Sequence, residues 1–169
     1  MNFYDLLLAK KLSGGGGGSN NNLLSCAGVI TNGVLSGLVK NANTVDNIKL
    51  IVSNDVTEIA DEAFIGKGIL TEVKIPNSVT RIGNRAFQNC AYITTIEVGS
   101  SVESMGTQCF EYCSKLATFI CRAETPPVIQ SNTFRQNASN LVIYVPASSL
   151  DAYKAANVWR NRTIEAIPN

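Results

Sequence analysis

The chain has 169 residues, of which 45% are hydrophobic and 16% are charged, and its formal net charge is +1. This length corresponds to about one domain, and the hydrophobic fraction is ordinary for a globular protein. The basic residues are scattered, so we expect no nucleic-acid interface. No apolar run approaches the roughly 18 residues that a membrane span needs, so we expect no span.

Residues 1–12 are predicted to form a short docking segment. Phe3, Leu6 and Leu7 fall on one face of a possible helix, and Tyr4 adds a further aromatic side chain. An isolated helix of this length is only marginally stable, and we therefore expect a partner protein to order these side chains. The segment lacks the basic start and long apolar run of a secretory signal, which argues against export by the general pathway.

Residues 13–22 are predicted to be a tether, because the run Gly14 to Gly18 and the following Ser and Asn residues cannot form a packed core. Together with residues 2–12, this run resembles the leaders of minor structural proteins encoded by bacteriophages and prophages. That resemblance covers a short and partly low-complexity stretch. It implies attachment to the head or tail of a virus particle.

Residues 23–47 are predicted to be an N-terminal cap. Two apolar runs, Gly28 to Thr31 and Val34 to Gly37, flank Asn32-Gly33. An Asn-Gly pair between such runs is the strongest short-range signal for a β-hairpin. A cap is required here because the end of a repeat solenoid otherwise exposes its apolar interior.

Residues 48–145 contain repeats with a period near 23. Phe64, Phe87, Phe110 and Phe134 define one repeating column, and a second column contains Leu50, Val73, Ile96 and Phe119. Each unit reads as a short alternating strand, a turn, further inward residues and a helical or turn-like piece. Such a unit buries its apolar face only against neighbours, so the columns predict an α/β-type solenoid of leucine-rich repeats with short parallel strands.

The run from Ile75 to Cys90 (Ile-Pro-Asn-Ser-Val-Thr-Arg-Ile-Gly-Asn-Arg-Ala-Phe-Gln-Asn-Cys) resembles the BspA-like leucine-rich-repeat family. The neighbouring units around Ala63-Phe64 and Cys109-Phe110 match less fully. The resemblance implies the solenoid fold and a binding or adhesion role. Family members are often exported surface proteins, and the missing signal segment departs from that pattern.

Residues 146–169 are predicted to be a C-terminal helical cap. Ser148 or Ser149 is a candidate N-cap for a helix over Leu150 to Ala156. Tyr153 and Trp159 are expected to cover the last repeat.

The outer face of the strands is the predicted binding surface, because side chains alternate along a strand. If the column of Leu50 points inward, one outward row contains Lys49, Glu72, Thr95, Thr118 and Val142, and the next contains Ile51, Lys74, Glu97, Ile120 and Tyr144. The second row is the candidate ligand-binding site, since apolar and aromatic side chains supply interface energy. The alternative is structural, because Lys49–Glu72 and Lys74–Glu97 are favourable cross-strand charge pairs. The loops and the C-terminal cap are the other candidate surfaces.

We expect no catalysis, cofactor or metal ion. The chain has no histidine, and Gly14 to Gly18 lacks the Lys-Ser/Thr ending of a phosphate loop. Asp61 and Glu62 are expected to be solvated carboxylates. The cysteines are odd in number and irregularly spaced, which favours buried thiols that act as small hydrophobic groups. Their positions are Cys26, Cys90, Cys109, Cys113 and Cys121.

The leading hypothesis is a virion component. Its segment 1–12 would dock on a head or tail protein, and its repeats would contact a host-surface protein or glycan. The second hypothesis is a bacterial cell-surface adhesin with the same repeats. The third is a structural spacer or fibre that forms a homo-oligomer and has no ligand of its own.

Overall fold

The computed structural model describes residues 28–31, 33–38 and 48–168, and in them the chain winds into a parallel-strand solenoid of about five turns. The predicted segments 1–12 and 13–22 lie outside the described residues, as do parts of the N-terminal cap. The described residues contain eleven strands and one α-helix, α1 (Leu150–Ala155). The strands are β1 (Gly28–Thr31), β2 (Val34–Leu38), β3 (Ile48–Ile51), β4 (Glu58–Ile59), β5 (Leu70–Ile75), β6 (Arg81–Ile82), β7 (Thr95–Val98), β8 (Ser104–Met105), β9 (Thr118–Cys121), β10 (Val142–Val145) and β11 (Ile164–Ala166).

Two sheets run along the solenoid. The larger sheet has the order β11-β10-β9-β7-β5-β3 and is parallel throughout. The smaller sheet has the order β1-β2-β4-β6-β8, and its two-residue strands β4, β6 and β8 come from the segment that follows each turn. The sequence predicted inward anchors in that segment, but it did not predict a second sheet.

The predicted hairpin is confirmed. Strands β1 and β2 pair antiparallel, with Thr31 opposite Val34. Gly33 has a φ of 79°, a conformation that glycine adopts without steric cost. Strand β2 then pairs with β4 in parallel, so the hairpin joins the smaller sheet directly.

Stacked phenylalanine rings run through the interior, and we call Phe64, Phe87, Phe110 and Phe134 the phenylalanine ladder. Successive ring centroids lie 4.9, 5.6 and 5.5 Å apart, with interplanar angles of 10°, 18° and 20°. All four side chains are buried. The 23-residue spacing of the sequence therefore corresponds to one turn of the solenoid.

Between the strands, each unit turns without forming a helix. The left-handed residues Arg85 and Asn89, with φ values of 53° and 60°, bend the chain around Phe87. Equivalent left-handed positions recur in the next unit at Gln108 and Tyr112. The helical or turn-like piece predicted from the sequence is thus a pair of tight turns.

The C-terminal cap closes the last turn. Tyr153 and Trp159 are buried, with ring centroids 5.0 Å apart, and Trp159 lies 6.0 Å from Phe134, as expected. The prediction that a serine side chain caps the N-terminus of this helix was wrong. Ser149 precedes α1, but its hydroxyl makes no capping bond, because its ψ of 0° differs from the extended backbone of an N-cap. Strand β11 was not predicted and extends the larger sheet beyond the repeats.

Candidate functional site

The larger sheet aligns the predicted row across five adjacent strands, and we call Ile51, Lys74, Glu97, Ile120 and Tyr144 the outer row. Each residue is the register partner of the next, from β3 through β5, β7 and β9 to β10. Glu165 on β11 continues the row beyond Tyr144. Neighbouring strands lie about 4.8 Å apart, so the outer row spans roughly 20 Å.

A second row lies beside it on the same face. Lys49, Glu72, Thr95, Thr118 and Val142 are register partners in the same order. The strand alternation that produces both rows places their neighbours in the interior, where Leu50, Val73, Ile96, Phe119 and Ile143 are buried. The structure therefore brings together the residues that the sequence grouped. The binding role of the outer row remains a prediction.

Ion pairs lie along this face from β3 to β7. Lys49 pairs with Glu72, and Lys74 Nζ lies 3.5 Å from Glu97 Oε2. Arg122 Nε donates to Glu97 Oε1 at 2.6 Å. Burial raises the pKa of Glu97, but the hydrogen bond from Arg122 and the charges of Arg122 and Lys74 outweigh it, so the pKa lies below its ordinary value. The cross-strand charge pairs that the sequence offered as a purely structural explanation of this face are thus present.

Apolar side chains occupy both ends of the outer row. Ile51 is 51% exposed at one end. At the other end Ile120 and Tyr144 lie side by side, half-buried, on β9 and β10. Thr118 and Val142 adjoin them in the second row. We call Thr118, Ile120, Val142 and Tyr144 the β9–β10 patch, and all four are uncharged.

The predicted docking residues Phe3, Tyr4, Leu6 and Leu7 lie outside the described residues. Their docking role therefore stays a prediction.

Sequence reasoning missed a group of exposed side chains outside the strands. Tyr92 is 51% exposed, with Lys115 Nζ 4.4 Å from its ring centroid, and Tyr112 is 44% exposed. The Arg135 guanidinium lies 5.9 Å from the Tyr112 ring. For Tyr112, the available signal was an aromatic residue at a turn position that Gly66, Asn89 and Gln136 hold in the other units.

Carboxylates in the turns bind groups of the next unit. Asp61 Oδ1 accepts a hydrogen bond of 2.8 Å from the backbone N–H of Asn84. That bond lowers the pKa of Asp61, and bonds from the Asn84 and Arg81 side chains lower it further against the effect of burial. Glu62 pairs with Arg85. Both acids lie on the surface, as expected, but they link successive repeats rather than being simply solvated.

The four described cysteines are all buried, as expected of small hydrophobic groups. Burial raises the pKa of Cys90 to about 12 and raises the pKa of Cys109 as well. A thiol with a raised pKa is a poor nucleophile and a poor metal ligand at neutral pH.

Across the described ranges, no three acidic or cysteine side chains converge as a metal site would require. Nor does any helix in those ranges have the length and apolar character to cross a membrane.

Two depressions adjoin the last units. A groove of about 740 Å³ runs between residues 100–103 and 122–128, with Val128 66% exposed on its rim and Arg122 linking it to the outer row. A pocket of about 400 Å³ lies between the last turn and the C-terminal cap, where it contacts Phe134 and Arg162.

Comparison with known proteins identifies the repeats. The family described as BspA type leucine rich repeat region matches residues 41–156 in six copies. The chain is similar to a leucine-rich repeat protein from Bacteroides capillosus, with 22% identity and a TM-score of 0.54 over 68% of this chain and 86% of that chain. It is also similar to a leucine-rich repeat protein of T. pallidum, with 16% identity and a TM-score of 0.49 over 79% of this chain and 73% of that chain. No curated protein matches the chain.

The family match covers well over half of the chain and includes every unit of the phenylalanine ladder. The Bacteroides structure has the same fold. The resemblance that the Ile75 to Cys90 run carries in the sequence is therefore confirmed, and the chain belongs to the BspA-type leucine-rich repeat family.

Proposed function

We propose that this protein is a non-enzymatic binding module whose larger sheet contacts a protein or glycan on a host surface. The observation that carries the proposal is the β9–β10 patch. Two apolar side chains, Ile120 and Tyr144, stand in register at outward positions of a sheet whose interior is already filled.

The ion pairs beside the patch favour contact over repulsion. Lys74 and Arg122 both contact Glu97, so a partner that covers the patch meets a paired rather than an isolated carboxylate at its β7 edge. Aromatic anchors surrounded by paired polar groups are the usual composition of energetically important interface centres. Exposed charge pairs contribute little by themselves, so their removal would alter specificity more than affinity.

The shape of the face favours a macromolecule over a small ligand. The outer row lies on an open sheet roughly 20 Å wide, as expected for a solenoid that binds through an extended surface. The groove that contains Arg122 borders this face and would extend the contact.

A matched pair of tyrosine substitutions tests the face. Labelled full-length protein is first applied to arrays of extracellular proteins and glycans, and the strongest binder is kept as the probe. We expect Tyr144→Ala to weaken binding of that probe at least about tenfold, because it removes the aromatic anchor. Tyr92→Ala, an exposed tyrosine outside both rows, is the control and should leave binding unchanged. Equal affinities for the two variants would reject the sheet face as the contact surface.

A bacterial cell surface is one setting in which such a module would act. Membership in the BspA-type family supports it, because proteins of this family are often extracellular or at the cell surface. The adhesin hypothesis predicts intact protein on washed cells in which no virus has been induced.

A virion is the second setting. The leader-like segment 2–18 supports it, with Phe3, Tyr4, Leu6 and Leu7 as the docking side chains. Many copies on one particle would provide avidity, so each contact could be weak. A reporter fused to residues 1–12 should then join purified particles, and a reporter that stays in solution would exclude this setting. Immunogold labelling with an antibody against residues 23–169 separates the two settings directly.

The spacer hypothesis is tested by sedimentation. If the N-terminal segment drives assembly into a homo-oligomer, the full chain should sediment as an oligomer. A chain without residues 1–22 should then sediment as a monomer. Equal oligomeric states for the two chains would reject it.

A further inference from the structure

A polar pocket at the C-terminal end of the solenoid has the features of a small-molecule site. Its volume is about 400 Å³, near the lower end of the roughly 300–1,000 Å³ typical of ligand pockets. We call it the C-terminal pocket, and the side chains used below are Asn137, Ser139, Leu141, Arg162 and Thr163. It lies off the outer row, so its role is independent of the sheet-face proposal.

Asn137 occupies the column position that buried cysteines hold in the two preceding units. Cys90 and Cys113 precede it at the same place in the turn, and their thiols donate to the carbonyls of Phe64 and Phe87 at 3.0 and 3.3 Å. In the last unit an amide replaces the thiol. Both its Oδ1 and its Nδ2 are shielded from solvent and have no hydrogen-bond partner among the described residues.

A buried amide without partners is unfavourable, and a thiol is well accommodated in this column. Thr133 offers a contrast in the same turn. It is a fully buried polar residue, but its hydroxyl accepts from Gln130 N–H at 3.0 Å and donates to Gly106 O at 3.3 Å. The fold thus satisfies Thr133 internally and leaves the Asn137 amide without a hydrogen-bond partner among the described residues.

Arg162 is the second under-satisfied group. Its two Nη atoms reach the carbonyls of Phe134 and Ser131 at 3.4 Å, which is long for a hydrogen bond, and its shielded Nε has no partner among the described residues. No ion pair to it exists in the described part of the chain. Burial lowers the pKa of Arg162, which is consistent with a guanidinium that lacks a compensating carboxylate.

The charge around the pocket is unbalanced. Its lining includes Arg135 and Arg162 but no aspartate or glutamate. Arg135 is neutralised, because its Nε donates to Glu111 Oε1 at 2.5 Å. The charge of Arg162 is therefore the one available to attract an anion into the C-terminal pocket.

We propose that the C-terminal pocket binds an acidic monosaccharide through its carboxylate, with Arg162 as the anion-binding group and Asn137 as its amide partner. The edge of a guanidinium binds a carboxylate through two parallel hydrogen bonds. Asn137 Nδ2 would donate to the same ligand, and Oδ1 would accept from a sugar hydroxyl. Ser139 and Thr163 supply further hydroxyl partners, and Leu141 provides an apolar surface for the ring.

Titration followed by NMR tests the proposal on the full chain. The probes are glucuronate, glucose, acetate and a disaccharide with a terminal glucuronate, and the readouts are the Arg162 Nε–H and Asn137 Nδ2–H₂ signals. We expect glucuronate to shift both signals saturably, while glucose at the same concentration leaves them in place. The disaccharide distinguishes the source of the sugar. If it also binds, the pocket accepts the end of a glycan chain, and if only glucuronate binds, the ligand is a free sugar acid.

Two results would overturn the proposal. The first is the absence of a saturable shift with either glucuronate probe, which would mean that the pocket holds water alone. The second is equal binding of acetate and glucuronate, which would mean that no sugar ring is recognised.

Three variants separate binding from folding. Arg162→Gln should weaken glucuronate binding at least about tenfold, because it removes the charged donor. Arg160→Gln changes an exposed arginine outside the pocket and should bind as the parent does. Asn137→Cys restores the thiol of the column, so it should fold with at least the parent's thermal midpoint and yet lose binding. A clearly lower midpoint for Asn137→Cys, with binding retained, would assign Asn137 a structural role and reject the site.

Discussion

At the scale of single residues, the least expected feature is a buried carboxylate. Glu111 is fully buried on the turn side and accepts from Gln88 Nε2 at 2.7 Å, from Gln108 Nε2 at 2.5 Å and from Arg135 Nε at 2.5 Å. Burial raises its pKa, but these bonds outweigh burial and hold the pKa below its ordinary value of about 4.5. Since Gln88 and Arg135 belong to the units on either side, Glu111 links three turns.

Glu111→Gln should destabilise the protein by about 2 kcal/mol at pH 7, because it removes a charge-assisted bond from a buried site. The folded-state pKa is lowered, so the stabilisation is fully present above the unfolded-state pKa and is lost as the pH falls through the folded-state value. The difference between parent and variant should therefore shrink below about pH 4.5. Urea denaturation at pH 7 and at pH 3 measures it. The exposed Glu103→Gln is the control, and an equal loss at both pH values would contradict the role of the charge.

At the scale of elements, successive turns approach so closely that some positions admit no side chain. A Cβ on Gly106 would lie 2.5 Å from Asn84 N, and one on Gly83 would lie 2.4 Å from Asp61 N. At the same place Asn84 Oδ1 accepts from Thr107 N–H at 2.9 Å, which repeats the bond from Asn84 N–H to Asp61. Glycine and the side-chain acceptor together set the spacing of the turns.

Gly106→Ala should cost about 1–3 kcal/mol, because the new methyl group meets backbone atoms that cannot move without disturbing this ladder. The matched control is Gly68→Ala, whose Cβ would meet only Tyr92 Cδ2 at 3.8 Å. Thermal unfolding of both variants measures the difference. A Gly106→Ala protein as stable as the Gly68→Ala protein would show that the turns have room to separate.

The elements also show what the sequence was able to predict. The outer row was predictable because a single repeat period fixes both the register of neighbouring strands and the side of the sheet on which each side chain lies. The extra residue in the last unit was also visible, because Phe134 follows Phe110 after 24 residues instead of 23. The two-residue strands β4, β6 and β8 were not, because alternation is undetectable at that length. The C-terminal pocket was also missed. Asn137 and Arg162 come from different segments, and only the packing of the cap against the last turn brings them together.

At the scale of the whole molecule, stability depends on closure at the ends. Each unit of a solenoid contacts only its neighbours, so the last unit relies on the cap. Trp159 contacts Phe134 and Tyr153, and its Nε1–H donates to Pro127 O at 2.7 Å. Tyr153 Oη also donates to Ala123 O at 2.8 Å, so the cap is bound to the last units by hydrogen bonds as well as by ring packing.

Trp159→Ala should cost about 3–5 kcal/mol, because it leaves a large cavity against the end of the phenylalanine ladder. In a one-dimensional array this loss should act first on the adjacent units. In Trp159→Ala, the backbone amides of β10 and β9 should therefore lose hydrogen-exchange protection before those of β5. The Trp159→Phe variant should retain most of the parent's protection in all three strands. Simultaneous loss of protection in β5 and β10 would show that the solenoid unfolds as one cooperative unit, and that the cap stabilises all turns equally.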